Sequence, residues 1–162
     1  MAARFLGHPI HQALIAFPLG LLGGAVLFDV VAIVISSPGL LQASYYMIAA
    51  GVISGLVAAP FGLVDWLGIP SGTRARFIGA VHGLGNVVVL VLFAASWLLR
   101  RPDTVGPSGS ALGFSGAGVL LALVTGWLGG ELVDRLGVGV DEGAHVNAPS
   151  SLSGRPAGVG RV

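Results

Sequence analysis

Four stretches of the chain, residues 5–28, 30–64, 77–99 and 104–130, contain no Asp, Glu, Lys or Arg. A helix needs about 20 mostly apolar residues to cross a bilayer, and each stretch supplies them. The second holds the turn signal Ser36-Ser37-Pro38-Gly39, which ends one helix and precedes another. The pattern predicts four transmembrane helices, near 10–35, 42–68, 77–99 and 111–134. The expected fold class is an all-α integral membrane protein with its helices in an up-down-up-down bundle.

Composition excludes most alternatives. Of 162 residues, 54% are hydrophobic and 9% charged, with a mean hydropathy of +0.91. A soluble domain carries about 25% charged residues, so a soluble enzyme, a nucleic-acid binder and a disordered chain are ruled out. The cations are eight Arg and no Lys, without a basic stripe to track a phosphate backbone. Cys is absent, which removes disulfides, thiolate metal sites and iron–sulfur ligation by this chain. No nucleophile elbow or phosphate loop occurs, and no enzyme acting on its own is expected. Only Arg4 precedes the first hydrophobic stretch. That stretch is too long for a signal peptide and lacks a cleavage site, so the first helix is expected to stay in the mature protein.

Residues 1–140 read as the four-helix transmembrane domain. Residues 141–162 have no apolar period and read as a disordered cytoplasmic tail, with His145 solvated there. Orientation follows the Arg count on each side. One side holds Arg4, Arg74, Arg76, Arg135, Arg155 and Arg161, and the other holds Arg100 and Arg101. Both termini are therefore expected in the cytoplasm, and the protein in the cytoplasmic (inner) membrane.

Each helix carries a glycine pair four residues apart: Gly20/Gly24, Gly51/Gly55, Gly79/Gly83 and Gly126/Gly130. Such pairs let helix backbones approach closely in lipid, and a tight bundle is expected at all four. Pro18 and Pro60 free the carbonyls of Leu14 and Leu56 and should kink the first two helices. Leu63-Val64-Asp65-Trp66-Leu67-Gly68-Ile69 matches Leu132-Val133-Asp134-Arg135-Leu136-Gly137-Val138 at five of seven positions. His11 and His82 open the first and third helices. The chain thus reads as two hairpins related by duplication, with a pseudo-twofold axis along the membrane normal.

The polar residues gather at the expected cytoplasmic end. His8-Pro9-Ile10-His11 reads as a helix start, with Pro9 in the first turn and His8 at the cap. His82 lies about 8 Å into the third helix, and Asn86 follows on the same face. Asp65, Glu131 and Asp134 close the second and fourth helices. Asp29 stands alone near the outer end, about 27 Å from His11, and reads as interfacial. Convergence of His11, His82, Asn86, Asp65 and Glu131 from four helices marks a shared site.

Three chemistries suit that cluster. Two imidazoles on diagonal helices can hold a b-type haem, with His11 and His82 on the iron and Gly79, Gly83 and Gly85 making room. Asn86 and Glu131 would orient the ring N–H groups, Asp65 would support them, and His8 would be the reserve ligand. Alternatively, His8, His11 and His82 with a carboxylate could bind a divalent metal, or the cluster could relay protons or meet a quinone head group. A non-catalytic accessory or assembly subunit, with a structural cluster, is the competing class.

Gly7-His8-Pro9-Ile10-His11, Gly62-Leu63-Val64-Asp65-Trp66, Arg76 with His82 and Asn86, and Gly129-Gly130-Glu131-Leu132-Val133 followed by Arg135 and Gly137-Val138-Gly139-Val140 occur in this order. The set, spread over residues 5–140, resembles the bacterial and archaeal predicted membrane protein family known as domain of unknown function 2231. The resemblance implies a four-helix integral membrane protein. Some relatives carry a fused Rieske iron–sulfur domain, which implies membrane redox work, electron transfer and a Rieske-type protein or quinone as partner. A homo-oligomer or a place in a membrane complex also fits. Relatives often carry an aromatic residue and a His where Asp134 and Leu136 stand here, so a ligand role for that His is absent in this chain.

The orientation is checked with single cysteines at Ser71 and Ser108. An impermeant thiol reagent on intact cells should label position 108 and spare position 71; the reverse pattern overturns the expected topology.

Overall fold

Helix ends in this chain are set by a few Ser, Thr and Pro residues, because the apolar runs themselves continue past them. The computed structural model describes residues 3–158. Its four long helices are α1 (Ile10–Ile35), α2 (Pro38–Leu67), α3 (Arg74–Leu99) and α4 (Gly109–Arg135). α1 and α2 are joined by Ser36 and Ser37, and Ser36 takes the left-handed conformation at φ 54°. Pro38 then starts α2, where its missing N–H costs nothing. α2 therefore begins four residues earlier than the sequence pattern suggested. Thr73 and Ser108 cap α3 and α4, accepting from the backbone N–H of Arg76 and Ala111.

The two interior prolines differ. α1 is interrupted at Ile15, between Ile10–Leu14 and Ala16–Ile35; Pro18 cannot donate to the Leu14 carbonyl there. α2 runs through Pro60 as one helix. The last turn of α4, Glu131–Arg135, is π-helical.

Two short strands precede α1, β1 (Arg4–Phe5) and β2 (His8–Pro9), paired antiparallel. Leu6 and Gly7 make the turn with φ of 51° and 84°, the two left-handed residues that a tight hairpin of this twist requires. Pro9 holds the N-cap position of α1 without a side-chain bond. His8 is a strand residue, not the cap expected from the sequence.

Contacts within each hairpin run antiparallel. Gly24 packs on Met47 and Gly51 on Leu22, while Gly85 packs on Thr125 and Gly118 on Phe93. Between the hairpins, Gly55 meets Leu90, and Leu22, Ala25, Ile48, Val89 and Phe93 form the buried core at mid-height. The glycine-pair expectation needs correction. Gly51 and Gly55 both make close contacts, but Gly20, Gly83, Gly126 and Gly130 face open space. A Gly-rich chain places many such pairs four apart, and only the face turned towards a neighbour matters.

At the end of the bundle opposite the histidines, Arg100 follows α3 and turns into the interior, fully buried. Its Nη1 and Nη2 donate to the two oxygens of Asp29 at 2.8 and 2.7 Å. Nη1 also donates to Ser44 Oγ (3.3 Å), Nη2 to Ser115 Oγ (3.2 Å) and Nε to Ser96 Oγ (3.2 Å). A guanidinium has five N–H donors, and all are used. Ser96 passes its own proton to the carbonyl of Ala111 at 2.6 Å. Asp29, Ser44, Ser96 and Ser115 belong to α1, α2, α3 and α4, so one side chain ties the four helices. Asp29, 3% exposed, is therefore not the interfacial residue expected, and Arg100 is not a free loop cation.

Residues 141–158 carry one 3-10 turn, Ser151–Ser153. They lie against the N-terminal hairpin through an Arg4–Asp141 ion pair and a Ser151–His8 hydrogen bond. Arg161 lies outside the described residues.

Two stability results follow for detergent-purified protein. Asp29→Ala strands a buried guanidinium and should cost about 3–5 kcal/mol, read as a lower unfolding midpoint. Gly118→Ala should cost about 1–3 kcal/mol, because the Phe93 ring lies 2.8 Å from the new Cβ and is itself fully buried. Gly83→Ala should cost nothing; equal losses at both glycines would contradict the packing described.

Candidate functional site: the cleft between the hairpins

The hairpins meet closely at the Arg100 end and leave a cleft of about 1980 Å³ towards the other. It reaches from His11, His82 and Asn86 down to Leu22, Leu90 and Phe93. Its depth is apolar and its polar groups stand near the histidine end.

Each histidine is held by the second helix of its own hairpin. His11 on α1 directs Nδ1 at the Ala58 carbonyl of α2, 3.1 Å away. His82 on α3 directs Nδ1 at the Thr125 carbonyl of α4, 2.8 Å away. A carbonyl only accepts, so Nδ1 carries the proton in both rings. Each ring also lies on a glycine four residues beyond its carbonyl partner. A Cβ at Gly62 would stand 2.7 Å from His11 Cε1, and one at Gly129 would stand 3.0 Å from His82 Cε1.

The arrangement is thus repeated, with one irregularity. Gly62 adjoins the first copy of the Leu-Val-Asp heptapeptide directly, whereas Gly130 and Glu131 intervene between Gly129 and the second copy. The π-helical turn begins at Glu131, and its wider spacing absorbs part of that insertion.

A further lock stands in the first hairpin only, at the end of α2 beside the cleft. Arg76 Nη1 donates to the carbonyls of Trp66 (2.7 Å), Leu67 (3.1 Å) and Ile69 (2.9 Å). Its guanidinium lies 3.9 Å from the centre of the Trp66 ring, and Trp66 Nε1 donates back to the Arg76 carbonyl at 3.0 Å. These bonds satisfy carbonyls that α2 leaves open at its C-terminus and fasten α2 to α3. In the second heptapeptide Arg135 stands where Trp66 stands in the first, so the lock is made once.

The other expected site residues divide. Asn86 reaches His82, but its Nδ2 donates to Nε2 at 3.0 Å; the ring N–H goes to Thr125, so Asn86 does not orient that N–H as expected. Asp65 lines the cleft, and its Oδ1 accepts from the backbone N–H of Ala3 at 2.8 Å, which pins the N-terminal hairpin to α2. Glu131 pairs with Arg74 at 2.6 Å and is not brought to either histidine. His8 is exposed and bonds Ser151 at the rim of the cleft, without itself lining it. Among the described residues no three His, Asp or Glu side chains gather as a metal site, so the divalent-metal reading built on His8, His11 and His82 is not supported. Sequence reasoning missed the Ala58 and Thr125 carbonyls and Gln12, which lines the cleft beside His11. Gly62 and Gly129 were the available signal, each one turn past its carbonyl.

Gly62→Ala should push the His11 ring off the Ala58 carbonyl, since Nδ1 and Nε2 both lie within 3.1 Å of the added methyl. An altered His11 imidazole resonance with unchanged helix content is the expected outcome.

No curated protein and no solved structure matches the chain. The family described as predicted membrane protein, domain of unknown function 2231, matches residues 7–142, a span that takes in all four helices, both histidines and both heptapeptides. The chain belongs to that family of predicted membrane proteins.

Proposed function

We propose that the chain is a cofactor-holding subunit of a membrane redox assembly, with a b-type haem between His11 and His82. One observation carries the reading. Both imidazoles donate Nδ1–H to a backbone carbonyl of the neighbouring helix, which leaves Nε2 as the nitrogen with a lone pair. Metal-ligating histidines are held in this way, because the second bond fixes the tautomer and the ring plane. The two rings come from repeated positions in the two hairpins and line one cleft.

The surroundings support it. Small-molecule sites commonly measure about 300–1,000 Å³, so the 1980 Å³ cleft has room for a large flat ring with apolar edges. A haem held by two imidazoles supplies one-electron transfer. The chain's own residues would set ring orientation through Ala58 and Thr125, and shield the ring with Leu22, Leu90 and Phe93. Binding iron at His82 requires Asn86 to release Nε2. A Rieske-type protein or a quinone is the partner chemistry this role would meet.

The same reading puts the histidine end in the cytoplasm of a cell bounded by its inner membrane. With Arg100 inside the bundle, the loop at the opposite end contributes Arg101 alone, which sharpens the arginine asymmetry.

Full-length protein expressed with ample haem should be red, with a six-coordinate low-spin spectrum that is lost in His82→Ala and in His11→Ala. Colourless protein whose stability falls in both variants would instead identify an accessory subunit with a structural cluster.

A further inference from the structure

The two ends of the bundle are closed by different means. At one end Arg100 ties all four helices from inside. At the other, the segment that the sequence suggested was a disordered tail lies over the mouth of the cleft. Residues 143–158 close on themselves as a compact loop. His145 Nε2 donates to the Ala157 carbonyl at 3.0 Å, and a Cβ on Gly143 would collide with the Gly158 carbonyl. Loops whose ends meet in this way are frequently functional. Glu142, Ser151 and Arg155 line the same cleft as His11, Asp65 and His82. Gly137 and Gly139, with φ of 65° and 83°, join the loop to α4 in a conformation that glycine adopts without strain.

Four polar contacts among the described residues hold this segment shut, and each crosses from the first helical hairpin to the end of the second. Arg4 pairs with Asp141, and its Nη2 donates to the Gly139 carbonyl at 3.3 Å. Gln12 Nε2 donates to the Val138 carbonyl at 3.5 Å, and Ser151 Oγ bonds His8 Nε2 at 3.3 Å. The bond from the Ala3 N–H to Asp65 keeps the Arg4 strand on α2. The neutral bonds are long, and the Arg4 and Asp141 side chains are 32% and 54% exposed. An exposed ion pair shifts an equilibrium by up to about fivefold, and salt screens it.

We propose that residues 137–158 are a hinged lid over the aqueous mouth of the cleft, latched by Arg4 and Asp141, and that ionic strength opens it to water-soluble molecules. The inference goes beyond the haem reading and does not depend on it. The lid can lift about Gly137 and Gly139 without disturbing the Arg100 network, which lies at the far end of the bundle.

The chain has no cysteine, so a single one reports access. Gly83 lines the cleft, and a Cβ there meets nothing within 4 Å. Gly83→Cys in full-length protein in lipid nanodiscs is reacted with a charged, water-soluble thiol reagent, with Ser71→Cys in the exposed loop as the reference. At low salt, Asp141→Ala should speed modification at position 83 about two- to fivefold and leave position 71 unchanged. Molar salt should bring the wild-type lid up to the Asp141→Ala rate and change that variant little. Arg4→Asp combined with Asp141→Arg should return the rate towards wild type, which a merely loosened fold would not do. Equal rates with and without Asp141 at low salt overturn the latch. Failure of position 83 to react in any variant, while position 71 reacts, overturns the aqueous mouth itself. Either failure leaves the haem reading standing, because that reading is judged by the spectrum of the haem-loaded protein.

Discussion

A guanidinium remains charged inside a membrane, so a buried arginine dictates where its neighbours must be. Arg100 needs one carboxylate and three further acceptors within reach of five N–H groups, and it finds them on α1, α2, α3 and α4. Lipid offers no hydrophobic drive for helix association, leaving packing and interhelical polar bonds to do it. This network fixes where the four helices meet at that end, and it explains why Asp29 can sit in an apolar span at all.

The rest of the architecture follows from its being placed at one end. Below Arg100 the hairpins share a small core around Phe93 and Ile48. Beyond that core they part, and the opposite end is held by local devices: Arg76 over Trp66, Asp65 on the Ala3 N–H, and the Arg4 pair with Asp141. A bundle clamped at one end and fastened locally at the other leaves a cleft between, and the histidines stand on its walls.

The sequence revealed what charge patterning controls. Four spans were legible because no charged residue interrupts them, and His11, His82 and Asn86 were legible because polar groups are costly in a span. The faces of the helices were not legible. Lipid is as apolar as the bundle interior, so no hydrophobic period distinguishes Gly83, facing open space, from Gly118, pressed on Phe93. The Asp29–Arg100 pair was hidden by distance along the chain and by the length of the arginine stem, which reaches inward from beyond the helix end. Glu131 stood near the site in sequence, yet the nearer cation, Arg74, claims its carboxylate. The histidines' true partners are backbone carbonyls, which every residue possesses and no side chain announces.

What gives the cleft its chemistry is the proton on Nδ1 of both rings and the lone pair left on Nε2. Nitrogen-15 solid-state NMR of histidine-labelled protein in bilayers reads this directly. The account predicts Nδ1 protonated at His11 and His82, with Nε2 of His82 unprotonated and shifted by its Asn86 bond. A proton on Nε2 of His82 would contradict it, since the lone pair of the neutral ring would then sit on Nδ1, against the Thr125 carbonyl.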